Sequence, residues 1–237
     1  MAAYRLTRLI SAIFLYLALS ACATDGGLLF GGAPDGTSEE RLLRIADTTR
    51  EKGDTAASIA LYRKVLEDHP RSSGAFAGLG RAYLTAGKLT GASAAFDGAL
   101  KVDPESHSAL LGYGITLDLQ GRHAEAQAAY EKAALLSPKN LAARNNLALS
   151  LAFADALDEA RVVMGHVTTD PNATARHRLN KAFILTLMGR EDEARAVIAK
   201  DYAADMVEHT LGMFRPMTSL DGAARARALF NFDNAIK

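Results

Sequence analysis

Residues 73–104 read SGAFAGLGRAYLTAGKLTGASAAFDGALKVDP, and residues 107–138 read HSALLGYGITLDLQGRHAEAQAAYEKAALLSP. Laid in register, the two stretches place a glycine at 80 and 114, a glycine at 87 and 121, an alanine at 92 and 126, an aromatic at 96 and 130, an alanine at 99 and 133, and a proline at 104 and 138. Within the first stretch, Phe76, Leu79, Gly80 and Tyr83 recur at the i, i+3, i+4, i+7 spacing of one helix face. Gly87 can take the turn conformation that side chains resist, and Pro104 ends the second helix. The spacing therefore predicts two antiparallel helices per unit. Small residues at 80 and 92 would let the pair approach closely, and Phe76, Leu79, Tyr83 and Phe96 would fill the space between.

The unit repeats along most of the chain. Pro70, Pro104 and Pro138 are 34 residues apart, and Pro171 follows 33 later. Glycines keep the same step at 53, 87, 121 and 189, with Asp155 in the slot where another would fall. A helix–turn–helix unit of about 34 residues is the signature of the tetratricopeptide repeat (TPR). A looser first repeat starts at Glu39 (Leu42, Ile45, Ala46, Gly53, Ser58, Tyr62, Val65, Pro70). A fourth starts at Leu141 (Leu147, Ala148, Leu151, Ala160, Met164), and a fifth near Ala175 (Ala182, Leu185, Gly189, Ala194). No such unit buries its apolar face alone, so several must stack. The expected fold is all-α: a right-handed solenoid of four to five repeats over residues 39–202. Residues 203–237 are expected to supply cap helices on either side of Pro216.

The N-terminus reads as an address. Arg5 and Arg8 precede an apolar run from Leu9 to Leu19, followed by Ser20, Ala21 and Cys22. A basic start, a short apolar stretch and small residues before a cleavage point describe a secretory signal peptide over 1–21. The run falls short of the roughly 20 residues a spanning helix needs. Leu19-Ser20-Ala21-Cys22 resembles the lipobox of bacterial lipoproteins, and Cys22 is the only cysteine. Cys22 is thus the expected lipid-attachment site. Ala23 rather than Asp follows it, which in enteric bacteria permits outer-membrane sorting, so the expected location is the periplasmic face of the outer membrane. Residues 22–38, rich in glycine, read as the lipidated cysteine and a flexible tether, interrupted by Leu28, Leu29 and Phe30.

Composition excludes several function classes. Hydrophobic residues make up 49% and charged residues 23%, and formal charge is zero. Removing the first 21 residues leaves 25 basic against 27 acidic residues. That balance lacks the basic excess of a nucleic-acid binder. The six histidines show no metal-binding spacing, and one cysteine cannot build a thiolate site, so neither metal nor cofactor is expected. Gly78-Leu79-Gly80 lacks the third glycine and the preceding strand of a dinucleotide fingerprint, and Gly87-Lys88 lacks the rest of a phosphate loop. No serine-nucleophile elbow is present. The sequence predicts neither an enzyme nor a small-molecule binder.

What remains is the inner wall of the solenoid. Five positions of the first helix in each repeat are expected to line it. They are mostly charged in the first repeat (Glu40, Leu43, Asp47, Arg50, Glu51) and become apolar along the chain. The expected partner-binding residues are Arg81 and Leu84 in the second repeat, and Leu111, Ile115, Asp118 and Leu119 in the third. Asn145 and Leu149 follow in the fourth, and Leu179 and Phe183 in the fifth. An apolar groove of this kind suits an amphipathic helix or a strand.

Two stretches carry a more particular likeness: GITLDLQGRHAEAQ at 114–127 and NLAARNNL at 140–147. With the lipobox, tether and repeats, the chain resembles the TPR lipoproteins of the tight-adherence (Tad/Flp) pilus machinery, the TadD-like family. The resemblance implies a pilotin-like factor that helps an outer-membrane secretin assemble, with that secretin or other pilus assembly components as partners. The alternative is a general envelope-biogenesis scaffold that binds envelope proteins unrelated to pili.

Overall fold

The computed structural model describes residues 37–235. The signal peptide, Cys22 and Leu28–Phe30 lie outside the described residues. Five helix pairs follow one another: α1 (Ser38–Glu51) with α2 (Thr55–Asp68), α3 (Ser73–Thr85) with α4 (Leu89–Val102), α5 (His107–Leu119) with α6 (His123–Leu136), α7 (Leu141–Phe153) with α8 (Leu157–Thr169), and α9 (Ala175–Leu187) with α10 (Glu191–Ile198). Then come α11 (Ala204–Phe214), a 3-10 segment (Arg215–Ser219) and α12 (Gly222–Ala235). The fold is the all-α TPR solenoid that the periodicity predicts, in five repeats. Among the described residues no helix is long and apolar enough to cross a membrane.

Local chemistry sets the helix boundaries. Thr37 and Glu40 form a capping box at the start of α1, and Asp54, Ser72 and Asn140 cap α2, α3 and α7 with their side chains. Such caps satisfy amide groups that the first turn leaves without partners. Gly53, Gly87, Gly121 and Gly189 turn each pair with φ between 68° and 86°. Asp155 holds the equivalent place with φ of 60°, alone among described non-glycine residues in having positive φ.

Packing follows from the small residues. The ring of Phe96 rests on Gly80 of its own repeat and on Gly112 of the next: a Cβ on Gly80 would lie 2.8 Å from the ring, and one on Gly112 would overlap it. Tyr62 makes the same overlapping contact with Gly78 of the second repeat. One aromatic thus joins both the two helices of a unit and one unit to the next. The register of Gly80 and Gly114 is legible in sequence; the parallel role of Gly78 and Gly112 is not.

The stack has an inner and an outer side. The first helices of neighbouring repeats (α1, α3, α5, α7, α9) touch one another, and α11 continues the row, whereas the second helices do not meet. The first helices therefore form the concave wall. The C-terminal segment divides. Helix α11 stacks on α9 and α10 as a cap, but α12 turns back and packs on α5 and α7 inside the wall. Its physical reason is apolar pairing: Ala226 and Leu229 are both 3% exposed there, a burial that stacking beyond α11 on an open end would not give.

Candidate functional site: the concave wall

The expected groove residues separate into three groups. Ile115, Asp118, Leu119, Asn145 and Leu149 come together around one cavity of about 370 Å³, with Asn146, Phe153, Arg176, His177, Ala226, Leu229 and Phe230. Leu84 and Leu119 line a second, of about 540 Å³, with Thr85, Leu89, Arg227, Phe230 and Asn231. Arg81, Leu111, Leu179 and Phe183 line neither. Arg81 instead pairs with Asp47 at 3.5 Å, and Leu111 leans between helices against the buried cluster of Leu110, Ala129 and Ala133.

Leu179 and Phe183 are buried for a further reason. Aromatic rings run in series from Phe153 to Phe183 (6.3 Å between centroids), Phe214 (5.4 Å) and Phe232 (5.4 Å). The wall of the last repeats is thereby closed by α11 and α12, and becomes core.

Asp118 holds the polar centre of the wall. Its carboxylate accepts from Ser150 Oγ at 2.7 Å, from Tyr130 Oη at 3.1 Å, and lies 2.8 Å from His123 Nδ1. Burial raises the Asp118 pKa, opposed first by the His123 and Ser150 hydrogen bonds. Burial also drives the Tyr130 phenol well above its ordinary value, reinforced by the Asp118 charge. Ser150, Asp118 and His123 do not form a nucleophile triad. Both Ser150 and His123 address the carboxylate, so the imidazole does not stand between the hydroxyl and the carboxylate as a triad requires. The network ties three helices together: α5 through Asp118, α6 through His123 and Tyr130, and α7 through Ser150. Asn180 Nδ2 donates to Asn145 Oδ1 at 2.9 Å, linking α9 to α7 in the same way.

At the groove edge His177 accepts from the Thr174 backbone N–H at 3.0 Å through Nδ1. Its pKa is lowered by burial first, then by Arg176 and Arg178. Arg176 stands at a wall position that the repeat register assigns to the fifth repeat, whereas that register assigns neither His177 nor the residues of α12 to the wall. A signal for α12 existed, since Ala226, Leu229 and Phe230 repeat at helical spacing and Asp155 breaks the glycine pattern.

A stack of helix pairs with an apolar inner wall is the architecture of a TPR solenoid. The tetratricopeptide repeat family model matches residues 43–101 and 78–135. Solved structures agree in fold. A TPR protein of Thermus thermophilus is 19% identical, with 75% of this chain and 98% of that one covered at a TM-score of 0.63. PilF of Pseudomonas aeruginosa is likewise 19% identical, covering 83% of this chain and 91% of that one, with TM-score 0.63. YrrB, described as a TPR protein with an unusual peptide-binding site, is 20% identical over 71% of this chain and 89% of its own, with TM-score 0.57. No curated protein matches the chain in sequence.

Proposed function

We propose that the chain is a non-catalytic, lipid-anchored envelope protein that binds partner proteins through its concave wall, acting as a pilotin-like assembly factor for the secretin of a tight-adherence pilus. The observation that carries the binding part is the pair of apolar-walled cavities on the inner face of repeats two to four, about 370 and 540 Å³. The peptide-binding site described for YrrB, a protein of the same fold, is in keeping with it. The envelope part rests on Leu19-Ser20-Ala21-Cys22. The pilus part rests on the resemblance carried by residues 114–127 and 140–147. Anchoring by several acyl chains is stable where a single chain is marginal, and it would hold the repeats at the periplasmic face of the outer membrane.

The test is co-precipitation from solubilised membranes, probing for the secretin. Ile115→Asp with Leu89→Asp places two charges in the groove at partly exposed positions, one on each cavity. With helicity intact by circular dichroism, capture should fall roughly thirtyfold or more, since truncating one interface anchor alone can cost about 2 kcal/mol. Cys22→Ser should leave the protein unprocessed or release it from the membrane fraction. Undiminished capture by the folded double variant removes the groove. A wild-type protein that captures other envelope proteins but no secretin replaces the pilus reading with the general scaffold.

A further inference from the structure

The concave wall already holds an amphipathic helix, and it is the chain's own. Along α12, Gly222, Arg225, Ala226 and Leu229 fall at i, i+3, i+4 and i+7, the anchor spacing of a helix lying in a groove. Gly222 enters under the end of α7: a Cβ there would overlap the Phe153 carbonyl oxygen and lie 2.6 Å from His123 Nε2. One turn on, Arg225 is 9% exposed. It pairs with Asp155 and donates to the Met217 and Thr218 carbonyls at 3.3 and 3.2 Å. Arg227 donates to the Leu119 carbonyl at 3.0 Å, at the C-terminus of α5, where the helix dipole favours a cation.

We infer that α12 is a displaceable latch: residues 222–235 occupy the groove as an intramolecular ligand, and an amphipathic helix of the partner reaches the wall of repeats two to four by displacing them. The inference rests on the proposed reading of that wall as a protein-binding surface. Three observations separate a latch from a permanent cap.

First, the one repeat turn without glycine is the one the latch uses. Asp155 adopts a left-handed conformation that a glycine would adopt with less strain, and its carboxylate is what Arg225 meets. Second, the fit is incomplete. Cavities lie on both sides of α12, and Phe230 lines each of them, so the groove is wider than the helix it contains. Third, the fastening is light. The backbone of α12 approaches α5, α7 and the 3-10 segment, Phe232 adds a ring contact to Phe214 of α11, and the Asp155 side chain that meets Arg225 is 69% exposed, where ion pairs contribute little. A competing helix would carry a cation for Asp155 and the α5 carbonyl end. It would also carry side chains larger than Ala226, to fill the space that α12 leaves.

A fluorescent peptide with the sequence of residues 220–235 (LDGAARARALFNFDNA) tests this in trans by anisotropy against three full-length proteins. These are the wild type, Gly222→Leu, which blocks the close approach to Phe153, and Arg225→Ala, which removes the Asp155 contact. A groove occupied by its own helix lowers apparent affinity by the fraction of open molecules. Both variants should therefore take up the peptide at least tenfold more tightly than the wild type. Circular dichroism and melting confirm that the repeats remain folded, and Arg225→Ala serves if Gly222→Leu perturbs them. Equal uptake by folded wild type and variants, or uptake by none of the three, overturns the latch. Uptake by the variants without secretin capture in the co-precipitation keeps the latch and removes only the pilus partner.

Discussion

Phe96 shows how a single side chain turns a repeated sequence into a repeated structure. Its ring is fully buried between two glycines, Gly80 and Gly112, on helices of successive units. Any side chain at Gly112 must displace it. Gly112→Leu gains at most about 1 kcal/mol of helix propensity and meets an overpacking cost of about 1–3 kcal/mol or more. We expect a lowered Tm, at about 2–4 °C per kcal/mol for a chain of this size, whereas Lys88→Ala, exposed before α4, should stay within about 0.5 kcal/mol. Equal Tm shifts would contradict the packing. His177 supplies a pH-dependent term. Its folded-state pKa lies below the ordinary 6.5 because burial and two arginines oppose its charge, so the unfolded chain binds this proton more readily. The group's contribution is held above pH 6.5 and is lost as pH falls below it towards the depressed value. His177→Gln keeps an acceptor at the capping position, and should flatten that part of a urea-denaturation profile measured between about pH 7.5 and 5. An unchanged profile would show that His177 titrates alike in both states.

At the scale of the element, the turn between α7 and α8 carries two opposed effects. Asp155→Gly would relieve a left-handed residue, a gain of about 1 kcal/mol, while removing the acceptor of Arg225. Because that pair is partly solvated, the loss falls on the docking of α12 rather than on the repeats. The expected result is faster amide exchange confined to residues 222–235, with α5 and α7 as protected as before. Exchange that rises equally in α7 and α8 would mean that Asp155 stabilises its own repeat and not the latch. Helix α5 shows the converse arrangement. Asp118 is a buried carboxyl whose partners sit on α6 and α7, so Asp118→Ala leaves the Tyr130 hydroxyl and His123 Nδ1 without it and leaves Ser150 only its longer bond to the His123 carbonyl. Each buried orphan costs about 1–3 kcal/mol, and we expect the largest loss of stability among single polar changes in the wall, measured by chemical denaturation.

Over the whole molecule, one apolar core runs from Ala77 in the second repeat to Leu229 in α12, and a smaller one joins the first two repeats. The aromatic series Phe153, Phe183, Phe214 and Phe232 carries that core across the last repeats into the C-terminal segment. Phe183→Ala should cost about 3–5 kcal/mol. In a stack held by neighbour contacts, the loss should open the C-terminal repeats first. Limited proteolysis should then cut after residue 170 before it reaches α3. Simultaneous loss of all repeats would show that the stack unfolds as one unit.

The repeat is legible in the residues alone, because its signals are local. Glycine turns, proline stops and small residues facing Phe96 and Tyr130 recur at one period, and each acts within a unit or on the next. The same locality made the charged-to-apolar trend of the first helices readable, together with Ile115, Leu119, Asn145 and Leu149 as parts of one wall. What covers that wall is visible only in the folded chain. Nothing near Asp155 in sequence indicates that its partner is Arg225, seventy residues later. Nor does the spacing around Gly222 show that it must pass beneath the Phe153 carbonyl. Periodicity reports which face of a helix is apolar. Whether solvent, a neighbouring repeat or the chain's own C-terminus buries that face depends on contacts between residues far apart in the chain, and these exist only once the solenoid has curved.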